Sequence, residues 1–195
     1  FSKSNITEIE NLGEITTVPS SSFHACTRLV KVNLNEEKIT GIGSYAFSPK
    51  CNNNGNNMFC RAPQYMSINL EDLVKLEYFG NSSFAGFKRD GNLYLDLSKL
   101  TKLESINERA FYGSNITGVI FPNSLNYIGS EAFKDCNSLK IINLENIENK
   151  KIVANVYSGK PQNGLLIGAD AFKIEKKDLT TKSKTKLQFK KKKNF

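Results

Sequence analysis

The chain has no tryptophan, one histidine, two methionines and no stretch of about 18 consecutive apolar residues. The last absence excludes a membrane-spanning helix, which needs a run of roughly that length to cross the hydrocarbon core. The single His24 leaves little material for the acid–base pairs on which most hydrolytic and transfer sites depend. No phosphate-binding glycine loop, nucleophile elbow, HExxH pair or calcium-loop spacing occurs. A catalytic function, a cofactor and a zinc site are therefore not expected. What is present, 39% hydrophobic and 24% charged residues in 195, is the composition of a soluble folded chain of one large or two small domains. It opens on Phe1 with neither an initiator Met nor a secretory leader, which predicts a mature product or an excised piece.

The formal net charge of +8 suggests a nucleic-acid partner until it is located. Ten lysines between Lys173 and Phe195, opposed there only by Glu175 and Asp178, account for all of it, and the 172 residues before them are neutral. The excess belongs to a tail ending in the KKKK run at 190–193, read first as solvated terminus. A basic tail also attracts polyanions by counterion release, which keeps polyanion binding as an alternative function. Without an aromatic-interleaved basic groove, no specific nucleic-acid partner is expected.

The chain is a repeat. Aligned on Phe23, Phe47, Phe84, Phe111, Phe133 and Phe172, the preceding residue is always small: Ser22, Ala46, Ser83, Ala110, Ala132 and Ala171. Five before each Phe stands Val18, Ile42, Phe79, Ile106, Ile128 or Ile167, followed in four cases by Gly43, Gly80, Gly129 or Gly168. Eight before, Ile15, Ile39, Leu76, Leu103 and Leu125 are apolar, and only Gly164 breaks the column. Each glycine suggests either a positive φ or a crowded corner. A second block, Leu29–Leu34 and Leu139–Leu144, shares apolar first, fourth and sixth positions; Tyr65–Leu70 and Ile116–Phe121 fit it, and Asn92–Leu97 keeps its last two. Looser copies lie at Ile6–Asn11 and Lys184–Phe189. Positions two apart share one face of a strand, so about seven short strands are predicted. Units of about 22–24 residues are too small to bury their own apolar side chains, and stacking buries them in one continuous core.

The segment Leu125-Asn126-Tyr127-Ile128-Gly129-Ser130-Glu131-Ala132-Phe133-Lys134-Asp135-Cys136, preceded by Phe121-Pro122, resembles the BspA-type leucine-rich repeats nearly position for position. The resemblance covers about residues 6–172. It implies an α/β fold: a right-handed solenoid, or horseshoe, with a parallel sheet on the concave face and short strands, turns and single helical turns on the convex side. The expected organisation is a single solenoid over 1–189 of about six repeats, with inserts at 48–64 and 145–163 and a basic tail at 190–195. The resemblance further implies a secreted or cell-surface protein that adheres to a host, neighbouring-cell or matrix protein, with no transmembrane segment in this chain and expected to be monomeric. Two alternatives stay open: a spacer or targeting module of a larger protein, and the polyanion-binding tail.

The inserts follow from Phe-to-Phe intervals of 24, 37, 27, 22 and 39 residues. Solenoid insertions emerge as loops that either bind or drift neutrally. Cys26 and Cys136 fall in the repeat's cysteine column and are expected as buried thiols too far apart to be joined. Cys51 and Cys60 bracket one polar loop, and in a fold of exported type they are the disulfide candidate. A His24–Cys26 nucleophile is disfavoured because that column predicts burial. Asn115 and Asn137, four after their Phe, are read as corner residues rather than glycosylation sites. The sheet face is the first choice for binding, through Lys31, Asn33, Ser67, Asn69, Tyr94, Asp96, Ile120, Ile141 and Asn143, with Gly118 among them. Tyr94 is its rigid anchor and Ile120 with Ile141 its small apolar patch.

Overall fold

The computed structural model describes residues 1–48, 66–91, 93–147, 151–156, 164–173 and 188–190. Each of the seven segments expected to be extended overlaps a strand: β1 (Glu8–Ile9), β3 (Lys31–Val32), β5 (Ser67–Ile68), β7 (Leu93–Asp96), β9 (Ile116–Ile120), β11 (Ile141–Asn143) and β14 (Gln188–Lys190), the last running one residue past its expected end. A second column, β2 (Thr17–Val18), β4 (Gly41–Ile42), β6 (Tyr78–Phe79), β8 (Ser105–Ile106), β10 (Tyr127–Ile128) and β13 (Gly164–Gly168), carries the apolar residues five before each Phe. The stretch Lys151–Val156, within the second insert, forms β12. The second column and β12 make a seven-stranded sheet, β12-β13-β10-β8-β6-β4-β2; the first column makes two sheets, β1-β3-β5 and β14-β11-β9-β7. All of these pairings are parallel.

The α/β horseshoe expected from the sequence is thereby corrected to a β-solenoid. Sheets line two sides of each coil, not one, and among the described residues there is no α-helix and a single 3-10 turn, Leu70–Asp72. The reason lies in the segment around each Phe. Two residues before it, Ser21, Tyr45, Ser82, Arg109, Glu131 and Asp170 all have φ between +51° and +59°. Two after it, Ala25, Gly86, Gly113 and Asp135 are again left-handed. A right-handed helix cannot pass through such a residue, and each non-glycine one costs roughly 1–2 kcal/mol.

What offsets that cost is a third backbone ladder. Ser82, Phe84 and Gly86 donate their N–H groups to Glu108, Ala110 and Tyr112 of the next coil at 2.8, 2.8 and 2.6 Å. Arg109, Phe111 and Gly113 repeat this onto Ser130, Ala132 and Lys134 at 3.0, 2.8 and 2.8 Å. The alternation aims every second N–H along the solenoid axis, so donors that would otherwise be buried unpaired are satisfied.

The phenylalanines form one stack through the core. Centroid spacings run 5.3, 5.1, 5.6, 5.4 and 5.4 Å from Phe23 through Phe47, Phe84, Phe111 and Phe133 to Phe172, with planes 9–18° apart. Phe1 adds a seventh ring, 5.7 Å from Phe23, which the column count had left out. The small residue before each Phe lets the coils close to this spacing: Ala46, Ser83, Ala110 and Ala132 have no exposed surface. Between the two readings of the glycines, crowding is the one that holds. None of Gly43, Gly80, Gly129 and Gly168 has a positive φ, and a Cβ on each would stand 2.3–2.6 Å from backbone of the preceding coil.

Cys26 and Cys136 are buried free thiols. Their sulfurs donate to the carbonyls of Phe1 and Phe111, at 3.0 and 3.1 Å, and Ser114 in the same column donates to Phe84 O at 3.2 Å. Asn115, expected as a corner residue bonded to the next coil, bonds the preceding one instead, its amide donating to Arg89 O at 2.9 Å and accepting from Arg89 N at 3.1 Å. Asn137 is exposed.

Candidate functional site

The outward residues of β7, β9 and β11 fall into two cross-strand rows. Register places Tyr94 opposite Gly118 and Gly118 opposite Ile141; the next row is Asp96, Ile120 and Asn143. Tyr94 is 40% exposed, one of four large apolar or aromatic side chains so open among the described residues. Its ring fills the space above Gly118, with Cε2 2.4 Å from where a Cβ on that glycine would stand. Glycine at this strand position is thus the means by which the ring lies down across the sheet. The signal was available in sequence as a glycine one coil after a tyrosine in the same outward column. Ile120 and Ile141 sit diagonally on adjacent strands, both half-buried, so the apolar patch is smaller than two open isoleucines would make it.

The polar members of the set differ in what they have free. Asp96 caps its own turn, Oδ1 accepting from Ser98 N at 3.0 Å, and Asn143 holds Glu145 through both its amide oxygen and nitrogen. On the three-stranded sheet, Lys31 lies opposite Ser67, and Asn33 and Ser67 are exposed. The Lys31 ammonium bonds Glu10 at 2.7 Å and lies 3.9 Å from Glu8, which raises its pKa and lowers that of Glu10. Asn69 is taken up internally. Its amide donates to Leu34 O and accepts from Leu34 N, each at 2.9 Å, closing the coil where strand pairing stops. The nine residues therefore fall on two sheets, and Tyr94, Asp96, Ile120, Ile141 and Asn143 are the group that one continuous sheet brings together. Cys51 and Cys60 lie outside the described residues, as does most of the lysine tail.

The seven-stranded sheet repeats the device that seats Tyr94. Tyr78 pairs with Gly41, and a Cβ there would stand 2.4 Å from its ring. Along the turn face, Arg109 bonds Glu131 at 2.5 Å, Lys134 bonds the same carboxylate at 2.9 Å, and Tyr112 donates to Asp135 at 2.7 Å. Burial works against the Glu131 charge, yet its bonds to Lys134 and Arg109 hold it below the usual carboxylate range. Burial, then the Asp135 bond, pushes Tyr112 up to about 12.

The Cys26 thiol is turned to Phe1 O and the Ser4 hydroxyl, while His24 meets the edge of Tyr45 at 6.4 Å between centroids. Among the described residues no three His, Cys, Asp or Glu side chains gather as a metal site would require. No helix among them is long and apolar enough to cross a membrane.

The described coils form a parallel β-solenoid with an aromatic spine, in which each repeat is one supersecondary unit that buries its apolar face against its neighbours. A family model for the BspA type Leucine rich repeat region matches in 6 copies, over residues 1–85 and 52–177, and the chain belongs to that family. Neither a curated protein nor a solved structure matches it.

Proposed function

We propose that the protein is a non-enzymatic binding module of the cell exterior that adheres to a protein on a host cell, a neighbouring cell or the matrix. Its contact face is the outer side of β7, β9 and β11, with Lys31, Asn33 and Ser67 extending it on the neighbouring sheet, and the Cys51–Cys60 segment takes part in binding. One observation carries the reading: Tyr94, held across Gly118, is a pre-set aromatic platform beside Asp96, Ile120 and Ile141. Rigid tyrosines give contact area at low entropic cost and are enriched where interfaces concentrate their energy. Asn69 contributes by shaping the edge of the face.

Binding of the purified chain to immobilised extracellular-matrix and cell-surface protein preparations tests this. Tyr94→Ala is expected to weaken capture about tenfold or more, while removal of residues 191–195, beyond the end of β14, leaves it unchanged. Capture indifferent to Tyr94→Ala overturns the contact face. Capture lost with the tail and with rising salt favours the polyanion reading instead.

A further inference from the structure

Along the long sheet each strand pairs with the strand of the next coil, so chain order is kept through β2, β4, β6, β8, β10 and β13. At β13 the order reverses. Its far edge is taken by β12, which precedes it in the chain and runs parallel to it, with Ile152 opposite Leu165, Val153 opposite Leu166 and Ala154 opposite Ile167. On the other side of the same coil β14 follows β11 in the ordinary order, with Phe189 opposite Ile142. A seventh level is thus assembled from two separate segments: β14, beyond the sixth coil, and β12, from the insert that interrupts it.

We infer that the second insert is neither a binding loop nor neutral drift but a cap, in which β12 stands in for the strand of a seventh coil and covers the sixth on the long-sheet side. Because β12 precedes β13, that edge is taken whatever follows in the chain. The length of the insert fits the task. The interval of 39 residues from Phe133 to Phe172 exceeds the plain unit by about 16, enough for the six residues of β12 and short connections. Seven residues, 157–163, lead back to β13. They can span about 26 Å, against roughly 17 Å needed to return along the strand. Burial in β13 follows the register. Leu165, opposite Ile152, has no exposed surface, and Leu166, opposite Val153, is buried where Tyr78, Ser105 and Tyr127 of the same outward row are half-buried. Ile167, opposite the small Ala154, is half-buried, whereas Ile106 and Ile128 in its column are fully covered. A repeat that presents apolar residues and a bare strand edge invites association, and a covering strand removes both hazards.

Amide hydrogen exchange in the 195-residue chain reads this directly. The Leu166 N–H bonds Asn126 O at 2.9 Å on the β10 side, so alternation along the strand turns those of Leu165 and Ile167 towards β12. All three are expected to exchange slowly in the native chain. Val153→Pro, which takes an N–H out of β12, should speed Leu165 and Ile167 about tenfold or more, leave Leu166 slow and lower the thermal midpoint. Val153→Ala, which retains the N–H, should keep the protection. Free exchange of Leu165 and Ile167 in the native chain overturns the cap, and that measurement decides even where the proline variant fails to fold. Protection and midpoint indifferent to the proline overturn it as well, as drift if ligand capture is also unchanged and as a binding loop if capture is lost.

Discussion

Phe84 and Phe111 lie 5.6 Å apart with planes 9° from parallel, and Phe79 of the long sheet meets both rings edge-on. These two coils are thus tied by stacked rings and, at Phe79, by edge contacts from the long sheet. Phe111→Ala removes both and leaves a cavity with no exposed surface to collapse from. It is expected to cost about 3–5 kcal/mol, and Phe111→Leu distinctly less. Chemical denaturation of the two variants checks the order.

Gly129 tests the close approach of the coils. A methyl group there stands 2.4 Å from Glu108 N, which is backbone and cannot swing aside. Gly129→Ala should destabilise by roughly 1–3 kcal/mol. At Gly91 nothing lies within 4 Å but φ is +73°, so Gly91→Ala carries only conformational strain, about 1 kcal/mol. Thermal midpoints for the pair separate packing from conformation.

The Tyr112–Asp135 pair predicts a pH dependence. The folded-state pKa of Tyr112, about 12, lies above the ordinary 10. The native state therefore holds its proton where the unfolded chain has lost it. This contribution is fully present below about pH 10 and is lost as pH rises through 12. Tyr112→Phe should flatten the fall in stability across that window, measured by denaturation at stepped pH.

Cys136 is interchangeable with serine on the same reasoning that makes it inert. Burial first of all pushes its thiol up to about 12, and it donates to Phe111 O as Ser114 donates to Phe84 O one coil earlier. Cys136→Ser should keep the bond and change stability by about 1 kcal/mol or less, whereas Cys136→Val, which leaves the carbonyl without its donor, should cost more. Denaturation midpoints of the two variants decide it. In the native protein Cys136 should resist alkylation until unfolding.

The first-column strands and the phenylalanine spine were legible because stacking imposes the same demand on every coil, so the demand recurs in sequence. The second sheet was not. Its strands are mostly two residues long, with one inward residue each, and their outward partners Thr17, Gly41, Tyr78, Ser105 and Tyr127 share no chemistry. The left-handed positions two before each Phe are filled by Ser, Tyr, Arg, Glu and Asp rather than by glycine, so nothing recurrent in that column marks the conformation. Within the candidate face, Tyr94 could be read as outward from its column. That Asn69 is spent on Leu34 could not, because the bond depends on a backbone 35 residues away. The seventh ring, Phe1, fell outside a count that required a full repeat before each phenylalanine.

The aromatic spine is most directly tested by ring-to-ring nuclear Overhauser effects in the chain labelled only at phenylalanine. Cross-peaks are expected between Phe23 and Phe47, Phe47 and Phe84, Phe84 and Phe111, Phe111 and Phe133, and Phe133 and Phe172, whose centroids are 5.1–5.6 Å apart. Rings that show no sequential contacts, or that contact non-successive members of the series, would contradict the stacked coils and with them the face built on their outer side.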